Sequence, residues 1–371
     1  MPEVADVLRR YGPADLEQCG AGLLPSHRRA MDDLIHCRTE TLGGHLLQCE
    51  HCGQEHYVYH SCRNRSCPKC HHQDTEAWLA ERRQARLPVP YFHLVFTVPH
   101  ELGAIIRQRQ QDLYDILLRA AAQALITLAM DPHYVGGLIG VLCVLHTWTR
   151  TLAYHPHVHC LVPAGGISAD RREWRPTRTS YLVPVQALSL LFRGRFRHLV
   201  HQECPDLTLP EVVWTKGWVV YCKPTVHGPA QVLQYLGRYV HRIALTNNRI
   251  LSIEDGQVCF RYQDSQTLRW HTMTLPAQEF IRRFLQHVLP QGFHKVRYYG
   301  LWSPAHRPLL HQLQLWLAGH VPDPPPIAPS PESPSTASWA PPLRAGQTCP
   351  SCQQGLLVVI RSLPRLPRKP P

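Results

Sequence analysis

The period of the apolar positions changes several times along the chain, and each change marks a different kind of element. In residues 1–36, Val4, Leu8, Leu23, Leu24, Met31 and Leu34 recur among arginines and acids at helical spacing, which predicts an N-terminal helical segment. That period is lost over 37–70, a stretch dense in cysteine, histidine and glycine. Residues 74–87 then read as a charged helix that stops before Pro88, so 37–88 form a second module. From 89 to 320 strand-like and helix-like runs alternate. Strands are expected at 91–98, 138–148, 155–162, 218–222 and 294–301, helices at 101–130, 184–201, 230–241 and 277–288, and a hairpin over 249–275. The fold class predicted is α+β. Residues 321–345 are so rich in proline that a semi-extended linker is expected, leaving 346–371 as a C-terminal tail.

Composition narrows the classes. A 371-residue chain with 44% hydrophobic residues can build a core of ordinary size. No apolar run approaches the ~20 residues that span a bilayer, so no membrane partner is expected. The formal charge is +12, carried mainly by arginine, whose planar fork matches phosphate and stacks on bases; nucleic acid is the favoured partner. Fourteen cysteines would fit a secreted disulfide scaffold, but the opening MPEVADVLRRYG has no apolar signal region. The cysteines fall in C-x-x-C pairs instead, which points to zinc in a cytoplasmic protein. With nucleic acid as its partner, the protein is expected to be nucleoid-associated.

Cys49-Glu-His-Cys52 and Cys67-Pro-Lys-Cys70 are two such knuckles, and four thiolates so arranged can close one tetrahedral structural zinc site. Paired strands between the knuckles would make a zinc ribbon. Cys37 and Cys62 could serve a second site, with His45, His56 and His60 as spare ligands. Zinc would supply folding energy that the module's apolar content cannot, and Arg63, Arg65 and Lys69 would project toward a phosphate backbone. Cys349-Pro-Ser-Cys352 lacks a second knuckle and reads as a half-site or a remnant.

In His155-Pro-His157-Val-His159 three histidines alternate, and in a strand alternate side chains share a face. His157 and His159 are therefore candidate metal ligands. The third ligand is either His146, which ends the preceding strand and could reach across a hairpin, or His155, which Pro156 places at the strand rim; His146 is favoured. Further on, Tyr235-Leu-Gly-Arg238-Tyr239-Val-His-Arg242 places two tyrosines four apart on one helical face, with Arg238 and Arg242 able to neutralise phosphate. A metal that polarises a phosphate and a phenol that attacks it would together cleave and rejoin DNA. Packing roles for the histidines and tyrosines would instead leave a non-enzymatic zinc-ribbon DNA-binding protein.

These residues closely resemble the HUH endonucleases, and within them the two-tyrosine transposases of the insertion sequence 91 family. Cys49 to Cys70 is similar to that family's N-terminal zinc-binding domain, Phe92-His-Leu-Val-Phe-Thr97 to its first core strand and residues 145–166 to its metal-site block. Tyr235-x-x-x-Tyr239 is similar to its tyrosine helix, and Gly292-Phe-His-Lys-Val-Arg297-Tyr-Tyr-Gly300 to a late core strand. The resemblance implies a central antiparallel sheet flanked by helices, with Mg²⁺ or Mn²⁺ at the histidines and a 5′-phosphotyrosine on Tyr235 or Tyr239. It implies rolling-circle transposition between element ends and target DNA through single strands. A plasmid-type relaxase or replication initiator would use the same chemistry. No phosphate-cradling G-x-x-x-x-G-K-[ST] motif is present, so helicase and replication partners are expected from the host.

Overall fold

A computed structural model describes residues 2–19, 22–70, 87–178, 180–224, 243–264, 267–319 and 343–367. The chain divides into two compact units, one of Met1–His72, Ile243–Val288 and Pro326–Pro371, the other of Gln73–Arg242 and Leu289–Pro325. Space, not chain order, sets this division. Residues 243–288, expected within one 89–320 domain, and the C-terminal tail both join the N-terminal unit.

The second unit is built on a five-stranded antiparallel sheet of β3 (Tyr91–Thr97), β4 (Gly140–Trp148), β5 (Tyr154–Pro163), β8 (Val219–Pro224) and β12 (Val296–Gly300), in the order β12-β4-β5-β3-β8. Its central strands are apolar along the whole of one face and over one end of the other. On one face, Phe92, Leu94 and Phe96 of β3, Val141, Cys143 and Leu145 of β4, and Val158, Cys160 and Val162 of β5 are buried in one cluster with the helices α4 (Gln110–Ala129) and α5 (Val185–Glu203). Alanine at 120, 121, 122 and 124 gives α4 a flat, helix-favouring surface, and Phe96 meets Phe192 of α5 edge-on at 5.0 Å. The short helices α3 (Gly103–Gln108) and α6 (Val212–Thr215) complete this layer.

The opposite face is divided along its strands. At one end Tyr91, Leu142 and Leu161 pack with Leu310, Leu313 and Leu317 of α8 (Arg307–Ala318). Trp302 stacks on Tyr91 at 6.0 Å and lies over Gly140, where a Cβ would come within 2.9 Å of the indole. Further along, the same face of β3, β4 and β5 carries histidines. The strands β6 (Gly165–Ile167) and β7 (Trp174–Pro176) form a separate ribbon.

In the first unit, residues 1–36 hold two helices, α1 (Val4–Cys19) and α2 (Pro25–His36). The backbone N–H of Val4 donates to Asn247 Oδ1 at 3.1 Å, and Arg10 donates to the carbonyl of Ile253 at 3.2 Å. Residues 249–275 make a three-stranded meander, β9 (Ile250–Glu254), β10 (Gln257–Gln263) and β11 (Trp270–Pro276), where a two-stranded hairpin was expected. The turn at Asp255–Gly256 and the break between Gln263 and Trp270 interrupt the apolar alternation, so one strand more fits the segment. Phe260 of β10 packs on Phe280 of α7 (Ala277–Leu285) with ring centres 5.9 Å apart.

The cysteine module is a three-stranded sheet, β13-β1-β2, of β1 (Gly44–Cys49), β2 (Glu55–Tyr59) and β13 (Leu357–Leu363). The tail is thus a strand of the N-terminal module, antiparallel to β1 with Cys49 opposite Leu357. The expected helices at 74–87 and 230–241 and the linker at 321–345 fall wholly or almost wholly outside the described residues.

Candidate functional site

Among the described residues, three groups of side chains could each hold a metal ion: Cys37, Cys62, Cys67 and Cys70; Cys49, Cys52, Cys349 and Cys352; and His146, His157 and His159. Within each group the ligand atoms lie within 4.8 Å of one another.

The cysteines are not grouped as the sequence suggested, because Cys49 and Cys52 do not share a centre with Cys67 and Cys70. The hairpin explains this. Gln48 pairs with Glu55 and Gly44 with Tyr59, so Cys49 and Cys52 occupy the turn of β1–β2, whereas Cys37 and Cys62 flank its base. At about 3.3 Å per residue the strand separates the two ends by roughly 17 Å. The base group draws on the residue after α2 and on the loop after β2. Cys37 Sγ is 3.5 Å and Cys62 Sγ 3.6 Å from Cys70 Sγ, and backbone N–H groups of Cys62 and Asn64 donate to Cys37 and Cys62 at 3.5 and 3.4 Å. Asn64 is anchored in turn to Asp33 of α2 at 3.1 Å. Hydrogen bonds from Cys37, Cys62 and Cys67 hold the Cys70 thiol well below its usual range, while bonds within the same cluster push Cys62 and Cys67 up. At the turn, the backbone N–H of Cys352 brings Cys349 down to about 5.

Arg63 and Arg65 are exposed on the loop of the base group. Lys69 is engaged otherwise, with its Nζ 2.6 Å from Glu3 of α1, so its charge is met inside the unit. His45 and His60 meet edge-on at 5.1 Å, and His56 lies 4.0 Å from Cys349 Sγ.

The histidine group follows from strand register. His146 of β4 is the direct cross-strand partner of His157 of β5, and His159 stands two residues along on the same face. His146 and His159 are buried. Of the two candidates for third member, His146 is in the group, while His155 contributes its backbone: its carbonyl accepts from His157 Nδ1 at 2.7 Å. That bond leaves Nε2 as the His157 nitrogen able to face a cation. Trp148 stacks on the His146 ring at 4.7 Å.

Sequence reasoning missed His93. This residue of β3 lies on the same face, its Nε2 2.9 Å from His159 Nδ1 with the rings stacked at 5.1 Å. Burial pushes His93 down to about 4, so it is a neutral imidazole at pH 7. If His159 ligates through Nε2, its Nδ1–H must donate and His93 must accept, an arrangement in which a partner behind the ligand fixes its tautomer. A lone histidine in an apolar strand was the available signal, but its meaning depends on register. The donor set, three clustered imidazoles of which at least two, His157 and His159, have their second nitrogen engaged, fits a divalent cation that accepts nitrogen. Tyr235, Tyr239, Arg238 and Arg242 lie outside the described residues.

Among the described residues no helix is long and apolar enough to cross a membrane. A family model described as "Putative transposase" matches residues 140–308, which include β4, β5 and β12, and one described as "Transposase zinc-binding domain" matches residues 7–98. The chain is 41% identical over 379 residues to "Putative transposase y4qJ" of Sinorhizobium fredii, covering 97% of this chain and 95% of that protein. It is 27% identical over 295 residues to the transposase for insertion sequence element IS801 of Pseudomonas savastanoi pv. phaseolicola, covering 75% and 71% of the two chains. No solved structure matches. With a match spanning nearly its whole length, a transposase model over most of its central sheet and a cysteine cluster, Cys37, Cys62, Cys67 and Cys70, that fits zinc within a transposase zinc-binding domain, this chain belongs to the transposases of the insertion sequence 91 family.

Proposed function

We propose that the protein nicks and transfers single-stranded DNA at the ends of a mobile element, by rolling-circle-type transposition, on an HUH-endonuclease-like domain. The observation that carries this reading is the convergence of His146, His157 and His159 on one face of the central antiparallel sheet in a chain of a transposase family. In this reading those histidines hold Mg²⁺ or Mn²⁺, and Tyr235 and Tyr239 are the nucleophiles. The donor set favours Mn²⁺, since Mg²⁺ prefers oxygen.

The phenol oxygen of one tyrosine bonds to the scissile phosphorus as the bond from phosphorus to the 3′ oxygen breaks. The phenolic proton leaves, the departing oxygen takes up a proton, and the products are a 5′-phosphotyrosine and a free 3′-hydroxyl. A cation at the histidines would supply charge stabilisation at the phosphate. The second tyrosine permits a second cleavage, so that strands are exchanged without a nucleotide cofactor. Arg238 and Arg242 would neutralise phosphate beside the nucleophiles, and Arg63 and Arg65 would hold duplex or strand at the zinc module. Unwinding would fall to host replication proteins, consistent with a nucleoid location.

The test is a covalent adduct on denaturing gels, from labelled single-stranded DNA of an element end with Mn²⁺ or Mg²⁺. Tyr235→Phe combined with Tyr239→Phe should abolish the adduct while DNA binding survives, and His157→Ala combined with His159→Ala should suppress it. An undiminished adduct from either pair would refute that assignment.

A further inference from the structure

We propose that the chain carries a second, composite zinc site in which Cys49 and Cys52 of the β1–β2 turn and Cys349 and Cys352 of the C-terminal segment together bind one ion, clasping that segment onto the N-terminal module. The transposase zinc-binding model ends at residue 98 and so contains half of these ligands.

The two halves are built alike. The backbone N–H of Cys49 donates to the carbonyl of Gln54 at 3.0 Å, and that of Cys349 to Gly355 at 2.8 Å. The residue after each pair folds back in the same way: Gly53 donates to Cys49 O at 3.0 Å and Gln353 to Cys349 O at 2.9 Å. Both of these residues have positive φ, 71° at Gly53 and 58° at Gln353. The second is a non-glycine residue in the left-handed region, a conformation that needs support from its surroundings. Each half is thus a zinc-knuckle turn. Backbone N–H groups of His51 and Cys52 point to Cys49 Sγ at 3.4 and 3.5 Å, the bonding expected around a thiolate.

The halves meet at the distances a metal would set. Cys49 and Cys352 are 3.6 Å apart and Cys52 and Cys349 3.9 Å. A tetrahedron with Zn–S bonds of about 2.3 Å has an edge of about 3.8 Å. A disulfide would need about 2.05 Å. The approach is close: Glu50 N–H donates to Leu356 O at 3.0 Å, and a Cβ on Gly355 would stand 2.6 Å from Cys49 Sγ. Leu47, Val58 and Leu357 pack beneath the cysteines. Each half supplies two of the four ligands that a closed structural site requires.

Zinc content decides this independently of DNA cleavage. The full-length protein, purified reduced and dialysed free of loose metal, should contain about two zinc ions by mass spectrometry, falling to about one in Cys349→Ser with Cys352→Ser. The wild-type chain reconstituted with Co²⁺ should show thiolate charge-transfer absorbance of two four-thiolate sites, a readout that needs no variant to fold. One zinc ion and one site's absorbance in the wild type, or an unchanged zinc content in the serine variant, would overturn the proposal.

Discussion

At the scale of single residues, the histidine group depends on a neighbour that does not belong to it. His93 meets His159 through one hydrogen bond in a buried place, and that bond sets which nitrogen of His159 can bind a cation. Replacing His93 with Phe keeps a ring on the sheet and removes the acceptor. The expected result is a rise of roughly tenfold or more in the Mn²⁺ concentration giving half-maximal adduct formation, with little change at saturating metal. An unchanged Mn²⁺ dependence would leave His93 a packing residue. His157 and His159 are legible in the sequence because their alternation places both on one face in any strand. His93 is not, since only pairing of Val95 with His159 and His93 with Leu161 brings it alongside.

At the scale of elements, α7 shows how a short helix is held. Its apolar side, Phe280, Ile281, Phe284 and Leu285, is buried, and its polar side is clamped by Glu279, which accepts from Arg282 at 2.6 and 2.8 Å and from Arg283 at 2.7 Å. Hydrogen bonding to Arg282, then to Arg283, brings the Glu279 carboxyl down to about 2 from an ordinary 4.5. A carboxyl depressed on folding contributes stability that is complete above pH 4.5 and is lost as pH falls toward 2. Glu279→Gln should therefore cost about 1 kcal/mol at neutral pH, after allowance for solvent screening, and flatten the fall in melting temperature between those limits. A parallel fall in both proteins would count against the clamp. The helix itself is legible from its period, as are α4, α5 and the core strands. The third strand of the 249–275 meander is not, because period alone fixes where strands exist and not how many turns divide a run.

At the scale of the whole molecule, charge and cysteine connectivity dominate. With a net charge of +12 concentrated in arginine, affinity for a single-stranded oligonucleotide should fall about tenfold or more as salt rises from roughly 50 to roughly 200 mM, with a log–log slope of about −0.7 per phosphate neutralised. A flat salt response in a filter-binding titration would show that the basic residues do not face DNA. By itself the sequence determined which residues have metal-ligating chemistry, the class of the fold and the location of most core elements. Those follow from side-chain type and from periods of 2 and 3.6, which are properties of local chain. Only the tertiary structure decided the partners: Cys49 and Cys52 with Cys349 and Cys352 and not with Cys67 and Cys70, His146 and not His155 with the histidine pair, and the tail as a strand beside β1. The physical reason is the same in each case. A ligand set is defined by distance, and distance between residues as far apart as Cys49 and Cys352 is set by strand register and packing, which spacing along the chain does not encode.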